Sequence, residues 1–223
     1  MRCLLCFKSI EQAVSWHTLF QPVTAQYCAA CRPHLTKITG AYCKRCHRPQ
    51  AKTKTCSDCA KRNQPALLYN RSVYCYDAAM KDMLIICKYR HHYHALSSLT
   101  KPVRQAFFNQ FKTVKHLTLI PIPVSDERME ERLFNQATII SAMIPRPVFF
   151  GLKRHHQEKQ AKKNRKQRLQ TPNPFYLDPH LPLPTGPVVL IDDVYTTGTT
   201  LHHAANVLAE AGIEAIYSFT LAR

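Results

Sequence analysis

The chain has 223 residues, 45% of them hydrophobic and 20% charged, and its 31 Lys and Arg outnumber 14 Asp and Glu to give a formal charge of +17. That length buries one good core and leaves room for a small second unit, while no apolar run nears the roughly 18 residues of a membrane span. Residues 1–10 carry cysteines rather than an apolar signal core, so a cytoplasmic protein with a polyanionic partner is expected.

Ten cysteines in a reducing compartment require an explanation other than disulfides. Eight fall into four Cys-x-x-Cys pairs: Cys3/Cys6, Cys28/Cys31, Cys43/Cys46 and Cys56/Cys59. Each pair sets two thiolates on one tight turn, and two facing turns make the tetrahedral sulfur set that zinc prefers. The ligands suffice for two structural Zn2+ ions. Neighbouring pairs give two ribbons in tandem, whereas a cross-braced arrangement, with the first and third pairs sharing one metal, uses the same ligands. Redox pairs and structural disulfides are the competing readings, and four pairs in series favour zinc. Cys75 and Cys87 stand apart and read as small buried hydrophobes.

Past Cys59 the composition changes, which places a double zinc-ribbon domain at 1–63 and a larger domain at 64–223. AKRNQPALLYN reads as a polar link and SVYCYDA (72–78) as a strand; Ala79 to Tyr89 has helical spacing of Met80, Met83, Leu84 and Cys87. A second helix is predicted over 94–112. LTLIPIP (117–123) is a buried strand, followed by one helix across MEERLFNQATIISAMI with Ser125 and Asp126 as caps. PVFFGL, PVVLI and EAIYSFTLA are further strands, and a helix over 199–211 stops at Gly212. Strands alternating with helices imply an α/β fold with a mostly parallel sheet covered on both faces.

The strand VVLI delivers Asp192 and Asp193 at its carboxyl end, where open α/β sheets place their ligands. Thr196, Thr197, Gly198, Thr199 and Thr200 then lead into a helix. Backbone N–H groups and hydroxyls at such a start cradle a phosphate dianion, and Gly198 allows close approach. Two carboxylates beside the cradle would repel a second phosphate but accept hydrogen bonds from vicinal hydroxyls. A phosphate and a diol together describe a ribose 5-phosphate. The competing reading, in which the acid pair is a helix cap and the threonines filler, does not account for the combined pattern, and no Walker-type loop occurs in the chain.

VVLIDDVYTTGTT resembles the motif by which type I phosphoribosyltransferases bind phosphoribosyl pyrophosphate (PRPP). Cysteine pairs followed by such a domain resemble the ComF/GntX family, whose competence members take part in DNA uptake during natural transformation, and the resemblance covers nearly the whole chain. It implies a type I phosphoribosyltransferase-like sheet after the zinc-ribbon domain, with PRPP held at Asp192, Asp193 and residues 196–200 and Mg2+ accompanying the PRPP. CKYRHHYH is similar to the family's Lys-Tyr-x-Gly segment, which implies that Lys88, Tyr89 and Arg90 border the pyrophosphate. IPIPVSDERMEERLFNQA is similar to its Pro-x-Pro stretch, matched at the end by Arg132, Phe134, Asn135 and Gln136. His91 and Leu133 stand where the family has glycine.

Between 151 and 170, Lys153, Arg154, Lys159, Lys162, Lys163, Arg165, Lys166 and Arg168 face a single acid, Glu158. A block this dense reads as a mobile solvated segment, a catalytic lid or a nucleic-acid groove. Tyr74, Tyr76, Tyr89 and Tyr93 lie near basic residues and are candidates to stack single-stranded bases, with core packing the preferred reading for the first two. Two functions follow. One is a competence factor binding single-stranded DNA and PRPP, with other competence proteins as partners; the alternative is an active phosphoribosyltransferase, for which no residue identifies an acceptor.

Overall fold

The computed structural model describes residues 3, 8–10, 28, 35–62, 65–89, 96, 98–155 and 173–223. Its elements in chain order are α1 (Ser57–Ala60), β1 (Leu67–Tyr74), α2 (Ala78–Tyr89), α3 (Thr100–Gln110), β2 (Thr118–Pro121), α4 (Asp126–Arg132), α5 (Gln136–Ala142), β3 (Leu152–Arg154), β4 (Phe175–Leu177), β5 (Val188–Val194), α6 (Thr199–Glu210) and β6 (Ile216–Ala222). Strands β1, β6, β5 and β2 lie side by side in that order, all parallel. The expected α/β architecture is therefore present.

Alternation along β5 divides the core into two layers. Val189 and Ile191 join Leu119 and Phe219 under Met83 of α2, Phe107 of α3 and Ile140 of α5. Val188 and Leu190 face the other way, toward Leu201, Ala204 and Leu208 of α6, Phe175 of β4 and the thiols of Cys43, Cys46, Cys56 and Cys59. Helices thus cover both faces, and the cysteine turns share the second layer with α6. No described helix is long and apolar enough to cross a membrane.

Strand β1 begins five residues before the predicted strand and takes in part of the predicted link. Its interior is polar: the buried Asn70 Nδ2 donates to Ser72 Oγ at 2.8 Å, Ser218 Oγ donates to Asn70 Oδ1 at 2.9 Å, and the hydroxyls of Ser72 and Thr220 meet at 2.7 Å. Buried polar groups are tolerated when they satisfy one another, so this seam replaces the apolar alternation that marks most buried strands. The outer edge of β1 is covered by the cysteine-bearing segment. Asn70 N donates to Arg45 O, Ile38 N to Val73 O and Cys75 N to Thr36 O. An edge closed this way is not open to other chains.

The single helix predicted after β2 is two helices. Leu133 caps α4 at φ 61°, a left-handed conformation that ends the helix, and its side chain is 75% exposed. Asn135 then starts α5, its Oδ1 accepting from Ala137 N at 2.9 Å and its Nδ2 donating to Ile122 O at 2.9 Å. Ser125 holds the N-cap position of α4 without a side-chain capping bond. PVFFGL forms only a bridge from Val148 to Leu119 of β2 before β3, which pairs antiparallel with β4.

Candidate functional site

Strand β5 continues through the acid pair, so Asp192 and Asp193 belong to its carboxyl end, where Asp192 is in register with Thr220. Asp192 Oδ1 accepts from Asp193 N at 2.8 Å. Beside them, at the carboxyl ends of β2 and β5, lies a cavity of 320 Å³ whose lining includes Tyr76, Arg128, Arg154, Asp192, Asp193, Thr196 and Thr200. The backbone wall from Ile122 to Val124 is fixed by the Asn135 amide. Arg154 is held below the ordinary guanidinium range, first by burial and then by the charge of Arg128, while Asp192 opposes the shift. The cavity therefore sets two cations against two carboxylates.

The loop after β5 turns at Gly198, φ 78°, and His202 N donates to Gly198 O as α6 begins. Thr197 Oγ1 lies 2.9 Å from Thr199 Oγ1. A Cβ on Gly198 would overlap the Tyr195 ring. Gly198→Ala is expected to cost about 1–3 kcal/mol of stability through overlap and left-handed strain, read as a lowered midpoint in urea unfolding.

Thr197 and Gly198 of this loop and Thr199, the first residue of α6, are not among the residues that line the cavity. Lys88 and Tyr89 end α2, while Arg90 lies outside the described residues. Lys153 and Arg154 are on β3; Lys159, Lys162, Lys163, Arg165, Lys166 and Arg168 lie outside the described residues. Tyr74 is buried as the core reading expects, but Tyr76 is 44% exposed and lines the cavity. No motif or spacing in the sequence singles out Arg128. Its signal is topological: α4 follows β2, and β2 adjoins β5, so the first turn of α4 faces the acid pair.

The second candidate site is built from Cys43, Cys46, Cys56 and Cys59, whose sulfurs lie within 4.8 Å of one another. The third and fourth pairs thus meet each other, as neighbouring ribbons require and a brace between the first and third pairs does not. Cys43 N donates to Arg48 O, His47 N to Cys43 O and Cys56 N to Cys43 Sγ at 3.3 Å. Cys46 Sγ and Cys56 Sγ are 3.8 Å apart, which matches the edge of about 3.8 Å expected of a tetrahedron with Zn–S near 2.3 Å. The donor set fits zinc. Burial works against the Cys43 thiolate, yet the backbone donors of Cys46, Cys56 and Arg45 outweigh it and pull the thiol down to about 6. Burial pushes Cys59 up, and the neighbouring Cys46 charge adds to the effect.

His47 follows the first of these two pairs at φ 64° and is buried, and its Nδ1 accepts from Ser72 N at 3.0 Å. Burial, then the Arg71 charge, lowers its pKa to about 4, which keeps the ring neutral and that nitrogen an acceptor. Cys3 is buried and Cys28 half-buried in the first core layer, while their partners Cys6 and Cys31 lie outside the described residues. Cys87 is a buried core residue, and Cys75 is half-buried.

No protein-family model matches the chain. It is 40% identical over 229 residues to competence protein ComFC of Bacillus subtilis (strain 168), across 99% of this chain and 94% of the relative. Competence protein ComFC of Streptococcus pneumoniae (strain ATCC BAA-255 / R6) is 27% identical over 226 residues, across 100% of both chains. Competence protein F of Haemophilus influenzae (strain ATCC 51907 / DSM 11121 / KW20 / Rd) is 26% identical over 226 residues, across 88% of this chain and 96% of the relative.

Proposed function

Because this chain belongs to the ComF family of competence proteins, we propose that it acts in DNA uptake during natural transformation, binding PRPP or ribose 5-phosphate in the β2/β5 cavity and single-stranded DNA along its basic segment. The observation that carries the ligand is the cavity itself. Asp192 and Asp193 offer acceptors for a vicinal diol, and Thr196 and Thr200 bracket a loop suited to a phosphate. Mg2+ arriving with PRPP would offset the charge of its phosphates. Calorimetric titration with PRPP and Mg2+ tests the reading, and wild-type protein that releases no heat and gains no thermal stability would refute it.

The DNA partner rests on charge. Eight Lys and Arg stand between 151 and 170 against one acid, and Arg154, near the start of that run, lines the cavity. Changing Lys162, Lys163, Arg165 and Lys166 together to Gln is expected to weaken single-stranded DNA equally for all sequences. It should also flatten the slope of log K against log salt by about 3, because each phosphate left unneutralised removes about 0.7 from it. Fluorescence anisotropy over a salt series reads both.

An active phosphoribosyltransferase is the second reading, favoured by Arg128 and Arg154. Two guanidiniums across from the acid pair are placed to offset charge on a departing pyrophosphate. Release of pyrophosphate from PRPP, assayed over a panel of acceptors with and without single-stranded DNA, separates it from binding alone.

A further inference from the structure

The cysteine site and the threonine-glycine loop are joined by arginines. Arg62 Nη2 donates to Thr197 O at 2.6 Å. Arg45 Nη1 donates to both Cys59 O and Arg62 O at 3.1 Å, which fixes the residue carrying that donor to the end of the fourth cysteine pair. On the other side, Arg223 Nη1 donates to Tyr195 O at 3.2 Å, Nε to Cys46 O at 3.2 Å and Nη2 to Cys46 Sγ at 3.4 Å. Its guanidinium also lies over the Tyr195 ring, 5.0 Å from the centroid. That ring is buried in the same apolar layer as the four thiols and forms the floor under Gly198.

These contacts have a directional consequence. In a planar trans peptide the N–H points opposite to the C=O, and the described chain contains no cis bond. Holding Tyr195 O toward the cysteine side turns the N–H of Thr196 away from it. Holding Thr197 O the same way turns the N–H of Gly198 away too. Thr196 lines the cavity and Gly198 does not, so the Thr196 amide is turned toward the side where an anion would sit and the Gly198 amide away from the arginine that holds Thr197 O; amides that converge make an anion nest.

We propose that Arg62 and Arg223 are positioning residues through which metal bound by Cys43, Cys46, Cys56 and Cys59 sets the shape of the phosphate-binding loop. The inference rests on the reading of the cavity as a ribose-phosphate site only for its effect on affinity; the effect on the loop stands by itself. Two peptide planes fixed before the ligand arrives lower the ordering cost of binding. The four-cysteine site is then a support for the cavity as well as a local staple.

The test uses the full chain carrying its metal. Arg62→Gln removes the charged donor to Thr197 O, and Arg62→Lys keeps one; metal content by elemental analysis and the thermal midpoint should match wild type in both. Amide hydrogen exchange over residues 194–200, without ligand, should speed up about tenfold in Arg62→Gln and stay near the wild-type rate in Arg62→Lys. Affinity for ribose 5-phosphate by calorimetry should fall about tenfold in the first variant only. For wild type stripped by a chelator, loop exchange should be fast and should slow when Zn2+ is returned. Unchanged loop exchange in metal-loaded Arg62→Gln, or loop exchange indifferent to Zn2+, overturns the proposal. If wild type fails to bind ribose 5-phosphate, the cavity reading falls while the exchange data still decide the role of the arginines.

Discussion

Replacing Asp192 and Asp193 together with Asn is expected to lower PRPP affinity by about one to two orders of magnitude and leave the fold intact. A diol donates to carboxylates through charge-assisted bonds worth about 1.5–3 kcal/mol each, whereas an asparagine carbonyl accepts only neutral bonds worth about 0.5–1.5 kcal/mol, so roughly 1–1.5 kcal/mol is lost at each position. Local structure is spared because Asp192 Oδ1 accepts from Asp193 N, and an asparagine carbonyl accepts the same bond. The sign reverses for a ligand without hydroxyls. With the carboxylates gone, Arg128 and Arg154 lose their opposing charge, and inorganic pyrophosphate should bind as well as before or more tightly. Parallel calorimetry with PRPP and pyrophosphate reads the contrast, and equal losses for both would mean that the pair supports the loop rather than a ribose.

Cys43→Ser is expected to have the largest effect on stability. Four-sulfur zinc sites in small units contribute on the order of 10–16 kcal/mol of apparent binding energy, comparable with or above the roughly 5–15 kcal/mol net stability of a typical domain. Cys43 Sγ is also the acceptor for Cys56 N. Metal content should fall by about one ion per chain, with unfolding at a much lower temperature. Cys87→Ser is the control, since it places one hydroxyl in the core at a cost of about 1–3 kcal/mol and should leave the metal in place. A metal content that does not change in Cys43→Ser would show that the four thiols hold no ion.

Where chemistry is local, the chain could be read directly. VVLI announces a buried central strand, Asp192 and Asp193 follow at its end, and the third and fourth Cys-x-x-Cys pairs come together as a four-sulfur set that could hold a metal ion. Boundaries failed where tertiary contacts replaced local pattern. Asn70 looks like part of a linker until Ser218, 148 residues away, satisfies it inside the sheet, where Thr220 does the same for Ser72. Leu133 gives no local signal of a helix end, yet its left-handed backbone separates α4 from α5. The arginines that shape the loop were invisible for the same reason. Arg62 reaches Thr197 across 135 residues and Arg223 reaches Cys46 across 177, distances at which no periodicity or motif operates.

The strand order carries a consequence for how the chain is made. β6 is the last strand in sequence but lies between β1 and β5, so on a ribosome β1 emerges long before the partner it will flank. Until β6 arrives, β1 has only the cysteine-bearing segment along its outer edge and an open ladder on its inner one. Closing contacts this far apart is slow, and an exposed strand edge on a nascent chain invites wrong pairing. Metal capture by the third and fourth cysteine pairs requires nothing beyond Cys59, so the ribbon can fold first and shield the outer edge of β1 while the rest of the sheet is still being synthesised.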